Sequence, residues 1–342
     1  MKRTLLLICT LFCANVLMAQ EQLAVLKHND STSVFYGASA FVQAYTAATH
    51  GDIITLSDGI FTTPQSVQKG ITVRGNGAVA DTARRSTGTY FMNDFNVYYL
   101  GDSLQFSAEG IYFDDITIRS SHDIKLTRCY INNISKYTTN NTYSNGGLQA
   151  TNCVIKASSS TNSPFGGQAT INDIYINCIL KAVKRTNTTQ SMYYFKLPNY
   201  AICNNCIMIG EDGGSNYQYN NCIVIKDSLS NDTILNGAVN YSVLVGFVGS
   251  NSPASSGNVA MSLSDVFENW DGESLPTDLE TYVLKSSVSD SIQGLDGTEV
   301  GIFGGFMPFD WRPSYSIIKR FNVANRTTAD GKLSVDIEVI SE

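Results

Sequence analysis

One tetrapeptide dominates the middle of the chain, in four copies: Asn152-Cys153-Val154-Ile155, Asn177-Cys178-Ile179-Leu180, Asn205-Cys206-Ile207-Met208 and Asn221-Cys222-Ile223-Val224. Arg128-Cys129-Tyr130-Ile131 is a looser copy before them, and Tyr241-Ser242-Val243-Leu244 a later one. The cysteine steps from Cys129 are 24, 25, 28 and 16 residues, and 20 more lead to Ser242. A unit of that length cannot bury its inner face alone, so neighbouring units must stack. In a strand, residues two apart share a face. Cys153 and Ile155 therefore point one way and Val154 the other. A free cysteine behaves as a small buried hydrophobe. Stacked copies put Cys129, Cys153, Cys178, Cys206 and Cys222 in one interior column. The preceding Asn152, Asn177, Asn205 and Asn221 fall at a bend, where amides bond to one another or to turn backbone.

These coils predict an all-β fold, a right-handed parallel β-helix running over residues 20–310. A β-sandwich also has recurring short strands, but gives no reason for Asn-Cys-apolar-apolar to return at coil length. Propeller blades run longer, about 40 residues. Short alternating strands begin near residue 104, as in Ile116-Thr117-Ile118 and Ile124-Lys125-Leu126. Ala38 to Ala48 has helical spacing and is the candidate N-terminal capping helix. Phe321-Asn322-Val323, Asp330-Gly331 and the alternation from Leu333 to Ile340 predict a C-terminal β-hairpin and cap over 311–342.

Residues 1–19 are expected to be a signal peptide: Lys2 and Arg3 precede an apolar run from Leu5 to Leu17 that is short for a membrane span. The formal charge is −7, and −9 once Lys2 and Arg3 are removed. That acidity, without a basic run, argues against a nucleic-acid partner. No later segment reads as a transmembrane span. Of the eight cysteines, six follow residue 19. An even number in an exported chain raises the disulfide alternative. The repeat positions favour buried thiols, with a bridge between neighbouring coils left open. Cys203-x-x-Cys206 has no second pair at ligand spacing, and the three histidines are His28, His50 and His122, so no metal site is expected.

Gly51-Asp52-Ile53-Ile54-Thr55-Leu56-Ser57-Asp58-Gly59-Ile60-Phe61, followed by Ile71-Thr72-Val73-Arg74-Gly75-Asn76-Gly77, resembles the opening coils of the pectate-lyase-like right-handed β-helix superfamily. Tyr282-Val283-Leu284 through Gly301-Ile302-Phe303-Gly304-Gly305 with Pro308 is similar to the terminal coil of secreted β-helix proteins of Bacteroidetes-type bacteria. The resemblance implies a fold and leaves the activity open, because the superfamily includes lyases, hydrolases, epimerases and adhesins.

Catalytic candidates follow from comparison with that superfamily. Asp114-Asp115 lacks the Asn-Thr-Asp before it and the Gly-His-Gly after it of polygalacturonases. Asp114, Asp115, Arg119, His122, Asp123, Lys125 and Arg128 are the set nearest to a pectate-lyase site, in which carboxylates hold calcium and a base takes a proton beside a uronate. The competing reading is that Asp114-Asp115 and Ser121-His122-Asp123 are turn residues. Tyr193, Tyr194, Tyr217, Tyr219, Trp270 and Trp311 are candidates to stack on sugars, against a core or capping role. Asp-Ser or Asp-Thr before a small or apolar residue, an O-glycosylation-like pattern, begins at Asp30, Asp81, Asp102, Asp227, Asp232 and Asp290. The expectation is an exported or surface β-helix, without a cofactor, that binds polysaccharide or cell-envelope glycan. The alternative is a polysaccharide lyase or glycoside hydrolase with an atypical site on the 110–130 face, with calcium implied only if it is a lyase.

Overall fold

The computed structural model describes residues 22–82, 86–98, 100–101, 103–119, 123–137, 147–158, 173–183, 197, 200–210, 215–226, 236–246, 257–269, 282–312, 317–327 and 330–340. The expected signal peptide at 1–19 lies outside them, as do His122, Tyr193, Tyr194 and Trp270. Short strands stack into long sheets whose neighbours are mostly parallel, the arrangement of a β-solenoid.

The first sheet has eleven strands. It opens on an antiparallel pair, Leu23–His28 with Ser31–Tyr36, the first of which also pairs antiparallel with Ile53–Leu56. From there every pairing is parallel, through Thr72–Arg74, Phe106–Glu109, Ile124–Thr127, Leu148–Thr151, Ile174–Ile176, Ile202–Asn204 and Ser215–Asn220 to Asn236–Asn240. The second sheet has ten strands, from Gly59–Ile60 to Val259–Met261. A third, of three strands, stacks Phe95–Tyr98, Ile116–Arg119 and Ile134–Tyr137. Each coil thus contributes one strand to the first sheet, turns a corner, and contributes one to the second.

The tetrapeptide is that corner. Arg128, Asn152, Asn177, Asn205, Asn221 and Tyr241 all have φ between 47° and 55°, the left-handed region. Asparagine tolerates that conformation better than other side-chain-bearing residues, so the repeat selects it there. Each corner N–H donates to the next coil: Asn152 to the Ile176 carbonyl, Asn177 to Asn204, Asn205 to Asn220. The apolar residue two beyond stays in strict register, Tyr130 with Val154, Ile179, Ile207, Ile223 and Val243.

The repeat cysteines Cys129, Cys153, Cys178, Cys206 and Cys222 lie inside as fully buried thiols outside any disulfide. Where the corner leaves a cysteine N–H without a ladder partner, the next coil's sulfur answers it. Cys129 N–H donates to Cys153 Sγ and Cys206 N–H to Cys222 Sγ, each at 3.4 Å. Ser242 continues the column with oxygen, accepting from Cys222 N–H at 3.0 Å.

Toward the N-terminal end the interior turns aromatic: Phe41, Phe91, Phe95, Phe106 and Phe113 pack together. Phe41 comes from the helix Ala40–Ala47, which buries Ala40, Phe41, Ala44 and Tyr45 on one stripe. Near the C-terminus, Ile317–Thr327 and Leu333–Ile340 form an antiparallel pair.

The outer face of the second sheet is also apolar. Tyr130, Val154, Ile179, Ile207, Ile223 and Val243 point outward and are buried by Val266, Phe267, Tyr282, Val300, Ile302, Phe309 and Trp311. The corner asparagines help fasten this cover. Asn177 Nδ2 donates to the Ile302 and Gly304 carbonyls at 2.8 and 2.7 Å. Asn152 Nδ2 donates to Pro308 O, Asn205 Nδ2 to Glu299 O, and Asn221 Oδ1 accepts from Leu295 N–H. The segment 295–308 therefore runs back along the corner column, opposite to the direction in which the coils advance. Glycine lets it lie close: a Cβ at Gly304 would stand 1.6 Å from the Glu299 carbonyl oxygen.

Candidate functional site

Period-2 alternation leaves the outer side of the first sheet to the residues between the buried ones. Two parallel rows result. One runs Thr72, Ser107, Lys125, Gln149, Ile174, Ile202, Gln218. The other runs Arg74, Glu109, Thr127, Thr151, Ile176, Asn204, Asn220, Asn240. Lys125, Gln149 and Gln218 are exposed and the other row members partly so. In the second row the last three amides chain together: Asn240 Nδ2 donates to Asn220 Oδ1 at 3.0 Å, and Asn220 Nδ2 to Asn204 Oδ1 at 2.9 Å. From Thr127 onward the face carries amides and hydroxyls at regular strand spacing, with Ile174, Ile176 and Ile202 as an apolar strip across it and the charged Arg74, Glu109 and Lys125 at its earlier end.

The charged candidates at 114–128 are split among the corners of their coil. Asp114 and Asp115 follow the second-sheet strand Tyr112–Phe113 and precede the third-sheet strand Ile116–Arg119. Each meets an amide one coil on: Asn132 Nδ2 donates to Asp114 Oδ1 at 3.0 Å, and Asn133 Nδ2 to Asp115 Oδ1. Burial raises the Asp115 pKa, aided by the neighbouring carboxylates Asp114 and Asp94 and opposed by the Asn133 hydrogen bond. Arg119 ends the third-sheet strand with its guanidinium over the Tyr98 ring, 5.7 Å from the centroid. Asp123 is exposed at the start of the next first-sheet strand, and Lys125 projects from that strand's outer face. Arg128 sits at the next corner, 3.2 Å from Glu109 Oε1. It also helps Arg312 hold the Asp310 carboxyl below its ordinary pKa, against the upward pull of burial. Among the described residues no three His, Cys, Asp or Glu side chains gather to hold a metal.

Of the aromatic candidates, Tyr217 and Tyr219 face inward. They are 1% and 0% exposed and stacked on each other at 4.1 Å, so neither ring is available to a sugar. Trp311 is buried in the cover against Phe309 and Tyr130. Of the O-glycosylation-like positions, Ser31 is exposed at the start of the second strand, just past the turn, and Ser291 is exposed beside the short helix Ser286–Ser289. Asp102, Asp227 and Asp232 lie outside the described residues.

Two features escape a sequence reading. Tyr90, Tyr112 and Tyr130 form a column on the outside of the second sheet, with ring centroids 5.4 and 5.1 Å apart, ending against Trp311. Lys136 and Asp173 form an ion pair inside the solenoid. Alternation in Ile134-Ser135-Lys136-Tyr137 was the signal for Lys136, which shares its face with Ile134.

No family model, curated protein or solved structure matches the chain in comparisons with known proteins. Among the described residues, no helix is long and apolar enough to cross a membrane.

Proposed function

We propose that the protein is an exported, right-handed parallel β-helix that binds polysaccharide or cell-envelope glycan on the outer face of its first sheet without turning it over. The observation that carries this is the row of amides and hydroxyls from Thr127 to Asn240, with exposed Gln149 and Gln218 beside it. Donors and acceptors repeating at strand spacing suit a repeating hydroxylated polymer, and the apolar strip suits the less polar face of a sugar ring. The right hand is supported by the near-universal hand of parallel strand crossovers. In the same reading, the helix Ala40–Ala47 and the antiparallel pair Ile317–Thr327 with Leu333–Ile340 are end caps, as stacked repeats require. The pectate-lyase-like and Bacteroidetes-type resemblance belongs with this proposal, and the signal-like start of the chain supports export.

The test is a glycan array and an insoluble-polysaccharide pull-down with the mature protein. Retention that weakens in Gln149→Glu and Gln218→Glu variants of unchanged stability is the expected result. No ligand retained by the wild type across envelope and plant glycans overturns the proposal.

The lyase or hydrolase reading is favoured by the adjacent carboxyls Asp114 and Asp115 at one corner of the coil, where burial raises the Asp115 pKa toward that of an acid or base; calcium belongs to the lyase form alone. New unsaturated or reducing ends from a polyuronide panel, lost on Asp115→Asn, would establish it.

A further inference from the structure

Two ionisable side chains are shut inside the coils, where an apolar interior is expected. Lys136 is sent inward from Ile134–Tyr137, in register with Ile118 and Val97. Asp173 precedes the first-sheet strand Ile174–Ile176. Their side chains are 1% and 0% exposed, and Lys136 Nζ lies 2.6 Å from Asp173 Oδ1. The carboxyl is held at both ends. Oδ1 accepts the Leu148 N–H at 2.9 Å, and the Tyr175 hydroxyl donates to Oδ2 at 3.1 Å. Burial first, and the Asp173 charge second, push the Tyr175 pKa well up, so the hydroxyl keeps its proton.

An amine, a carboxyl, an N–H donor at one oxygen and a hydroxyl at the other are the parts of an acyl-transfer centre. We propose that Lys136 and Asp173 condense after folding into an intramolecular amide that covalently joins two coils. The step begins with transfer of one Nζ proton to Oδ1 across their 2.6 Å contact. The Nζ lone pair then forms the bond to Cγ while the other carboxyl electron pair moves to Oδ2, held by the Tyr175 hydroxyl. Oδ1 takes a second proton from Nζ across the same contact and departs as water as the carbonyl re-forms at Oδ2. One amine and one acid become one amide and one water, with no oxidant or cofactor. Fixed proximity replaces the activation that a solution carboxylate would need.

The proposal is independent of any ligand and is tested on the wild-type chain. The mature protein is digested after denaturation and its peptides are mapped by mass spectrometry. The expected product joins the Lys136 and Asp173 peptides and is lighter than their sum by one water, with Lys136 resistant to trypsin and to amine acetylation. Asp173→Asn should give the same link with loss of ammonia instead. Tyr175→Phe should slow linkage after refolding. Full recovery of Lys136 in a linear peptide with a free amine overturns the proposal. Equal linkage rates for Tyr175→Phe and wild type overturn the role of the hydroxyl.

Discussion

Asn177 serves two separable purposes, and two substitutions at that position separate them. Its backbone sits at φ 49°, and its side chain donates to two carbonyls of the covering segment, at 2.8 and 2.7 Å. Asn177→Gly keeps the backbone conformation and removes both hydrogen bonds. At about 1 kcal/mol for each net bond, plus a few tenths for the extra freedom of glycine when unfolded, the cost is about 2–3 kcal/mol. Asn177→Ala removes the same bonds and also forces a Cβ-bearing residue without a polar side chain into the left-handed region, adding about 1–2 kcal/mol. Urea unfolding at matched slope measures both. In a Trp270→Phe background, Trp311 emission reports the covering segment, because Trp311 is 8% exposed and packed against Phe309. The expected order of stability is wild type, then Gly, then Ala. A Gly variant as stable as wild type would refute the contribution of the cover, and equal Gly and Ala variants would refute the backbone argument.

Burial pushes the Cys129, Cys153, Cys178 and Cys206 thiols well above their ordinary pKa, so these should resist a thiol reagent at neutral pH and react fully in denaturant. Burial pulls the Asp52 pKa up, but hydrogen bonds from Thr49 and the His28 side chain outweigh it and hold it below the ordinary 3.8. A depressed carboxyl pKa stabilises the fold above the unfolded value, and that stability is lost as pH falls through the folded value. Asp52→Asn should therefore cost about 1–2 kcal/mol at neutral pH and flatten the acid limb of a stability–pH curve below about pH 4. Gly304→Ala must displace the Glu299 carbonyl, so the cover should be cleaved faster in limited proteolysis, with a loss of about 1–3 kcal/mol.

The stacked coils were legible because their signal is local: each copy of the tetrapeptide carries its own corner and its own inward cysteine. Alternation assigns Val154, Ile179 and Ile207 to the side opposite the cysteines, but it cannot say what lies beyond that side. The partners of those residues are 100 or so positions away, as with Asn177 and Ile302, separated by 125. For the same reason the sequence points the asparagine amides to one another or to turn backbone, whereas they reach the covering segment. The 114–128 candidates lie close in sequence, and a chain that turns a corner every few residues sends such neighbours in different directions. Tyr217 and Tyr219 alternate with Asn216, Gln218 and Asn220, so polar period marks them as inward before any ring-stacking argument applies.

The unequal cysteine steps, from 16 to 28 residues, coexist with an unbroken strand register through every corner. From Cys153 onward the extra length is confined to one stretch of each coil, between the end of its second-sheet strand and the start of the next first-sheet strand. Insertions and deletions there leave the pitch of the stack untouched. Selection can thus lengthen, shorten or rewrite that stretch coil by coil, while the corner keeps count.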